Sequence, residues 1–203
     1  YIEKGGEIIP KIVGVKSENR PPKSAEIIFI RHCPECEYKL VKEKGEAQHY
    51  CKNQYDCTPQ IVGKIQHFIS RKAMDIDGLG SETALLLYKN GLIENVGDLY
   101  FLDREKLLHL ERMAEKSVDN LLQGVEASKS KPFTKVLFGL GIRYVGETVA
   151  KKLVKAFESI DNMREATREQ FIEVDEIGDR IAESLIDYFS DHRNILLIDR
   201  LRS

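Results

Sequence analysis

Apolar residues are spaced in two ways along the chain, and the change falls near residue 58. Before it, short runs of β-branched residues at 8–15 and 27–30 are bounded by glycine or proline, which predicts strands. After it, apolar residues recur every three or four positions, the spacing of helices that bury one face. The sequence therefore predicts a mainly α fold preceded by a small β segment.

The helical part is predicted to start with Thr58 as N-cap and Pro59 in the first turn. Thr167 fits a capping box with Gln170. No strand is predicted after Ser70. Further helices are predicted over residues 81–90, 103–110, 115–129, 133–140, 147–158, 168–174, 179–189 and 191–201. Side chains at helical spacing are assigned to the core: Leu85, Leu121, Leu122, Leu153, Phe157, Leu185 and Phe189.

A pair of small residues four positions apart recurs through the helical part. The four copies start at Gly80, Ala114, Gly146 and Gly178, at intervals of 34, 32 and 32 residues. A constant period indicates a stacked supersecondary unit. A glycine just before a helix is expected to permit a turn with positive φ, and to expose the first unpaired amides at the positive end of the helix dipole.

Such a turn is a candidate binding site for the phosphodiester backbone. The second copy, Arg112-Met113-Ala114, has no glycine and is interpreted as structural filler. The alternative is that all four turns are tight helix connections without a ligand. The candidate DNA-binding residues of the other turns are Gly78, Leu79, Gly80, Val145, Gly146 and Gly178.

Charge restricts how nucleic acid could be attracted. Acidic side chains number 33 and basic ones 31, so no global positive field is present. The fourth turn is acidic, and Glu176 stands where the first turn has glycine, so it ranks below the first and third. A solvated helix face is the alternative for each lysine. A basic run surrounds the third turn, and its members are Lys129, Lys131, Lys135, Arg143, Lys151, Lys152 and Lys155. From it, Arg143, Lys151 and Lys152 are the candidate DNA contacts.

The first residues and the hydropathy indicate the cellular location of the protein and whether the sequence is part of a longer chain. No apolar stretch reaches the roughly 18 residues of a membrane span, and the first residues do not have the layout of a signal peptide. A cytoplasmic protein without membrane contact is predicted. Because the sequence begins at Tyr1 within a predicted β segment, we expect a piece of a longer chain whose missing strands complete that segment.

Four cysteines give the clearest chemical signal. Cys33 and Cys36 are separated by two residues, Cys51 follows after fourteen, and Cys57 after five more. Four thiolates at such spacing form the tetrahedron that zinc prefers, and an intracellular chain favours ligation over disulfides. Because four thiolates leave no position for water or substrate, the zinc is expected to be structural. His32 and His49 lie close to the cysteines in the sequence and are interpreted as neighbours of the site, not as ligands of the metal.

The succession of these parts resembles the C-terminal half of bacterial NAD-dependent DNA ligases. The resemblance rests on the segment GGEIIP at 5–10, the four-cysteine unit and four hairpins that include GIRYVGET at 141–148. It implies an incomplete OB-fold over 1–30, a zinc finger over 31–58 and a helix-hairpin-helix domain of four repeats over 59–203. In that family a BRCT domain usually follows.

The resemblance implies a parent protein that seals nicks in duplex DNA during replication and repair. The family's catalytic lysine lies in a Lys-x-Asp-Gly motif of the adenylation domain, and no such motif occurs here. We therefore expect no catalytic residue, with NAD and Mg²⁺ bound outside this chain. Its expected partners are nicked duplex DNA and the missing adenylation and OB-fold portions. The alternatives are a non-enzymatic helix-hairpin-helix DNA-binding subunit and a protein-interaction scaffold.

Overall fold

The computed structural model describes residues 1–6, 8–42, 45 and 47–203. Glu7, in the predicted β segment, and Glu43, Lys44 and Glu46, in the predicted zinc unit, lie outside the described residues. The prediction of a mainly α fold is confirmed, since helices and their connections make up residues 70–203 without a strand. None of the described helices has the length and apolar character needed to cross a bilayer.

The start of the chain forms a β-hairpin. Strands β1 (Ile2–Gly5) and β2 (Ile9–Ile12) pair antiparallel, with Ile2 opposite Ile12. The strand predicted over 27–30 is wrong, because these residues have no regular structure and their four apolar side chains are 60 to 86% exposed. A strand needs a neighbour for its main-chain groups, and no described strand pairs with this segment.

A second hairpin comprises β3 (Leu40–Lys42) and β4 (His49–Cys51), also antiparallel. The helices then follow as four pairs, each joined by a turn. The pairs are α1 (Thr58–Ile69) with α2 (Ser81–Lys89), α3 (Arg104–Leu108) with α4 (Glu115–Ser128), α5 (Phe133–Gly139) with α6 (Glu147–Phe157), and α8 (Arg168–Ile172) with α9 (Asp179–Ser190). A short helix α7 (Ile160–Glu165) links the third pair to the fourth, and α10 (His192–Arg202) closes the chain.

Every predicted helix exists, and its ends fall within two residues of the prediction. The N-cap of α1 is Cys57, not Thr58, because the chain leaves the last cysteine directly in helical conformation. The Thr167–Gln170 capping box is confirmed. Helix α7 was missed, although Ser159 caps it by accepting a hydrogen bond from the Asn162 amide at 3.1 Å. A 3-10 turn at Val96–Phe101 was missed as well.

Two hydrophobic cores form, one within the first two helix pairs and one within the last two. Helix α10 packs against both through Leu197 and Leu201. A leucine recurs seven positions after the first small residue of each copy. In the first copy this leucine is Leu87, which is fully buried, whereas the predicted core residue Leu85 is only partly buried. Fully buried residues recurring in all four pairs are Ala84, Val118, Ala150 and Ala182, together with Leu87, Leu121, Leu153 and Leu185.

Two glycines allow the first turn to lie directly against α4. Gly78 has φ +77°, and a Cβ there would lie 2.8 Å from the Leu121 main-chain nitrogen. A Cβ on Gly124, within α4, would lie 2.1 Å from the Asp77 carbonyl oxygen. Both positions therefore require glycine for packing, and this contact fixes the first helix pair on the second.

Candidate metal centre and nucleic-acid interface

The four cysteines converge, and all four sulfurs lie within 4.8 Å of one another. Cys33 Sγ is 3.9 Å from Cys57 Sγ, and Cys36 Sγ is 3.5 Å from Cys51 Sγ. Zinc with Zn–S bonds of about 2.3 Å holds its sulfurs roughly 3.8 Å apart, whereas a disulfide requires about 2.0 Å. The thiols are free of disulfides and fit one tetrahedral zinc ion.

Three local structures position the four ligands, since Cys33 and Cys36 share the first turn. The Cys33 amide donates to the Tyr38 carbonyl at 2.8 Å and closes the first turn, with Glu37 in the left-handed region. Cys51 ends β4 opposite Leu40. Cys57 is the N-cap of α1, and its amide donates to the Asn53 carbonyl at 3.0 Å. A metal at this point would therefore join the turn, the hairpin and the first helix.

The pKa values of the thiols show that their negative charges would need a cation among them. A hydrogen bond from the Tyr38 amide lowers the pKa of Cys36 to about 7. Desolvation raises the pKa of Cys51 to about 11 and raises the pKa of Cys57 as well. Thiols held this close cannot all ionise next to one another without a compensating positive charge, and a divalent metal supplies it.

The two neighbouring histidines do not join the cluster. His32 forms an isolated bridge with Lys39. His49 stacks against Phe29 with ring centroids 5.6 Å apart. Both are exposed, and among the residues that the structure describes the metal-ligating group consists of the four cysteines, in line with the sequence interpretation.

The second candidate site consists of the hairpin tips, defined as residues 78–80, 112–114, 144–146 and 176–178. The left-handed residue is the first of each tip, not the glycine before the helix. Its φ is +77° at Gly78 and 64 to 66° at Arg112, Tyr144 and Glu176. The third residue of each tip is extended, with φ between −77° and −91°. The expectation that the glycine before the helix supplies positive φ is therefore wrong, because the chain reverses two residues earlier.

The middle residue of each tip anchors it to the core. Leu79 and Val145 are 4 and 5% exposed. Their amides donate within the turn, to the Ile76 carbonyl at 3.4 Å and the Ile142 carbonyl at 3.0 Å. Both residues were candidates for DNA contact, and the structure instead gives their side chains and amides internal partners.

In the first, third and fourth tips the third residue is a glycine that faces open space. A Cβ added to Gly80, Gly146 or Gly178 would meet no atom within 4 Å. Among the described residues, no acceptor takes the main-chain N–H of these glycines. Each precedes a helix of nine or more residues, whose N-terminus carries partial positive charge. The tips thus present unpaired donors at the surface, an arrangement that suits a phosphate oxygen.

Most of the predicted basic run is neutralised within the fold. Lys135 and Lys151 both pair with Glu147, at 3.2 and 3.6 Å. Lys152 pairs with Asp175 and Glu176 of the fourth helix pair, both at 2.9 Å. A hydrogen bond to Asp175 raises the pKa of Lys152, and the same bond lowers the pKa of Asp175. The acidic residues of the fourth turn therefore face the lysine of the third helix pair.

Arg143 stacks on aromatic rings. Its guanidinium lies 4.9 Å from the Tyr144 ring centroid and 5.2 Å from that of Tyr50 in β4. Arg180, which sequence reasoning missed, lies 5.1 Å from the same Tyr144 ring. Its position, second in the helix after a tip, was a signal that could have identified it.

A four-cysteine metal site joined to tandem helical hairpins with open tips defines the class as a zinc finger followed by helix-hairpin-helix units. Comparison with known families agrees segment by segment. Residues 32–58 match the NAD-dependent DNA ligase C4 zinc finger domain. Residues 70–127 match a SAM-like helix-hairpin-helix tandem, and residues 135–198 match a helix-hairpin-helix motif.

Curated relatives extend the similarity to the whole chain. It is 57% identical over 203 residues to a DNA ligase of Flavobacterium psychrophilum, and 59% identical over 202 residues to that of Flavobacterium johnsoniae. Identity to the DNA ligase of Bacteroides fragilis is 52% over 203 residues. Each match covers 100% of this chain and 30% of the relative. The resemblance to the zinc-finger and helix-hairpin-helix region of NAD-dependent DNA ligases is thereby confirmed.

Proposed function

We propose that this chain is the part of an NAD-dependent DNA ligase that grips nicked duplex DNA. The observation that carries the proposal is the pair of unpaired amides at Gly80 and Gly146, each at the start of a helix and facing open space. The matches to ligase relatives over the whole chain support the same assignment. The proposed domain division remains 1–30, 31–58 and 59–203.

The tips would hold DNA through its phosphates. Main-chain donors at a helix N-terminus carry no base information, so binding is expected to be independent of sequence. Arg143, near Gly146, adds a charge that makes binding depend on salt. The tip at Gly178 ranks lower because the carboxylates of Asp175 and Glu176 lie beside it. Lys151 and Lys152 would contribute only after exchanging their carboxylate partners for phosphates.

Zinc in this proposal is structural. Cys33, Cys36, Cys51 and Cys57 would hold it, and four thiolates leave no open coordination position. A bound ion would cross-link a segment that has almost no hydrophobic core. The finger would then serve as a firm connection between the β-hairpin before it and the helix pairs after it.

Catalysis would lie in other parts of the parent protein. No Lys-x-Asp-Gly motif occurs in these 203 residues, so the chain alone is proposed to be inactive in nick sealing. NAD and Mg²⁺ would bind outside it. The adenylation and OB-fold portions would close around the duplex with it, and a BRCT domain would follow. The cytoplasmic location stays a prediction.

Titration of a nicked duplex across a range of salt concentrations tests the proposal. We expect binding at low salt, with log K falling linearly with log salt at about 0.9 per phosphate neutralised. Two nicked duplexes of unrelated sequence should bind equally. Absence of binding at low salt would contradict the proposal and favour the alternative of a protein-interaction scaffold.

Neutralising the acidic side of the fourth turn should strengthen binding. We expect the double substitution Asp175→Asn and Glu176→Gln to release Lys152 and raise duplex affinity about threefold, with the salt slope steeper by about one. The charge-matched control is Asp161→Asn with Asp199→Asn, which removes two carboxylates that pair with arginines of other elements. Equal affinities of the two double variants would show that Lys152 lies away from the DNA.

A further inference from the structure

The zinc finger meets the last two helices at a boundary with little apolar packing. No described residue between 31 and 57 belongs to either hydrophobic core. A cleft of about 780 Å³ lies between the finger, α1 and the end of α9, and its lining includes Tyr55, Ile61 and Tyr188. Tyr55 of the finger reaches across this boundary to the corner between α9 and α10. Polar contacts of one side chain therefore carry much of the attachment.

The Tyr55 hydroxyl meets two side chains at the start of α10. It donates to Asp191 Oδ2 at 2.9 Å, and Asn194 Oδ1 lies 3.1 Å from it. Asn194 is one of two buried polar residues in the described part of the chain. Its side-chain nitrogen donates to the Tyr188 carbonyl at 2.9 Å, which turns its oxygen toward Tyr55. Because a buried polar group without a partner is costly, this corner is sensitive to the position of Tyr55.

Asp191 connects the same hydroxyl to the backbone of α10. It is the N-cap of the helix and accepts from the Arg193 main-chain amide at 3.0 Å. It also pairs with the Arg193 guanidinium at 3.0 Å, and that guanidinium lies 3.5 Å from the Tyr55 ring centroid. The Tyr55 cluster, defined as Tyr55, Asp191, Arg193 and Asn194, thus joins the finger to the first turn of α10.

The position of Tyr55 depends on the metal site. Residues 52–56 form the loop between two of the cysteines, Cys51 and Cys57. Cys57 is also fixed as the N-cap of α1, whereas Cys51 ends the short strand β4. A zinc ion would tie both ends of this loop and so restrict its conformations. Loss of the ion would free the Cys51 end and raise the entropic cost of placing Tyr55 against α10.

We propose that Tyr55 couples occupation of the four-cysteine site to the ordering of the first turn of α10. Leu197 and Leu201 of α10 pack against both hydrophobic cores, so the coupling extends from the metal to the helix pairs. Coupling between two sites is reciprocal, and weakening the α10 side of the cluster therefore lowers zinc affinity. The inference goes beyond the proposed function and does not depend on it, because every measurement is made without DNA.

Zinc affinity of an α10 variant tests the reciprocal effect. In competition with a chromophoric chelator, we expect Asp191→Asn to bind zinc about fivefold more weakly than the unsubstituted chain, because the hydrogen bond from Tyr55 loses its charged acceptor. Asparagine keeps an oxygen for the N-cap, so α10 still starts normally. The matched control is Asp187→Asn, which makes the same charge change at an exposed position of α9 outside the cluster. Equal zinc affinities of the two variants would overturn the inference.

Hydrogen exchange tests the effect in the other direction. The amides of Asn194 and Ile195 donate to the Asp191 carbonyl at 3.0 and 3.2 Å and report on the first turn of α10. Chelation of zinc should speed their exchange about fivefold. In the zinc-loaded chain, Tyr55→Phe should also speed it, because the ring stays against the guanidinium but the hydroxyl is lost.

A tyrosine elsewhere in the finger provides the control for this substitution. Tyr38 is 49% exposed, and its hydroxyl has no hydrogen bond to a described residue, so Tyr38→Phe should leave the exchange of both amides unchanged. Chelation should speed exchange much less in Tyr55→Phe than in the unsubstituted chain, since both changes act through one contact. The inference is overturned if chelation leaves these amides unchanged, or if it speeds their exchange equally in both chains. Failure of the chain to bind duplex would contradict the proposed function and leave this result intact.

Discussion

Replacing Cys51 with serine is expected to release the metal and unfold residues 33–57 while the helix pairs stay folded. Among the described residues from 31 to 57, only Cys33 and Cys57 are buried, so no hydrophobic core stabilises this segment. Binding of structural zinc contributes on the order of 10 kcal/mol in comparable units. Cys51 Sγ lies 3.5 Å from Cys36 Sγ, and its loss leaves three thiolates. The segment would then lose most of its stabilisation.

Metal content and protease sensitivity measure this effect. Atomic absorption should give one zinc per unsubstituted chain and much less for Cys51→Ser, with new cleavage between residues 37 and 50. The helical circular dichroism signal should be largely kept. His49→Ala is the matched control, because His49 is close in sequence but outside the cluster and should leave the metal in place. One zinc per chain in Cys51→Ser would show that the ligand set is wrong.

Loss of the metal should also disturb a contact between the zinc finger and the last helix, α10. Tyr55, in the loop between Cys51 and Cys57, donates its hydroxyl to Asp191 at 2.9 Å, and the Arg193 guanidinium lies 3.5 Å from its ring. Hydrogen bonding from Arg193 lowers the pKa of Asp191 to about 2, so this carboxylate keeps its charge at acidic pH values where an ordinary aspartate is protonated. The zinc finger is thus tied to the start of α10, and disordering it would free that contact.

Local signals carried most of what the sequence predicted correctly. The four ligands follow from spacing within one short segment, and the helix ends follow from capping residues such as Thr167. The repeat placed the tips at the correct residues, but it assigned positive φ to the wrong position. That error arose because a glycine pattern does not tell which residue of a turn reverses the chain, and Arg112, Tyr144 and Glu176 reverse it without glycine.

Contacts between helix pairs were beyond local reasoning. The pairing of Lys152 with Asp175 and Glu176 joins residues more than twenty positions apart. It means that a candidate phosphate ligand instead forms ion pairs between the third and fourth helix pairs. The stacking of Arg180 on Tyr144 has the same origin. The strand predicted at 27–30 failed for a related reason, since a strand depends on a partner that its own sequence does not specify.

Replacing Gly146 with valine should weaken duplex binding about tenfold without disturbing the fold. The backbone there is extended, with φ −78° and ψ 177°, which a β-branched residue adopts readily. A Cβ would meet no protein atom within 4 Å, so any steric conflict must come from the ligand. Hydrogen bonds from an amide to a charged phosphate are worth about 1.5 to 3 kcal/mol each, and keeping the strand away from them loses that contribution.

The same argument applies to Gly80, and the double variant Gly80→Val with Gly146→Val should lose about 100-fold if the two tips act independently. Gly178→Val is the matched control, because the backbone there is equally extended and a Cβ would also meet no protein atom within 4 Å, while the carboxylates of Asp175 and Glu176 lie beside it. Its loss should be the smallest of the three. Fluorescence anisotropy with a nicked duplex gives the affinities, and circular dichroism checks the helices. Unchanged affinity of the double variant would move the DNA site away from the tips altogether.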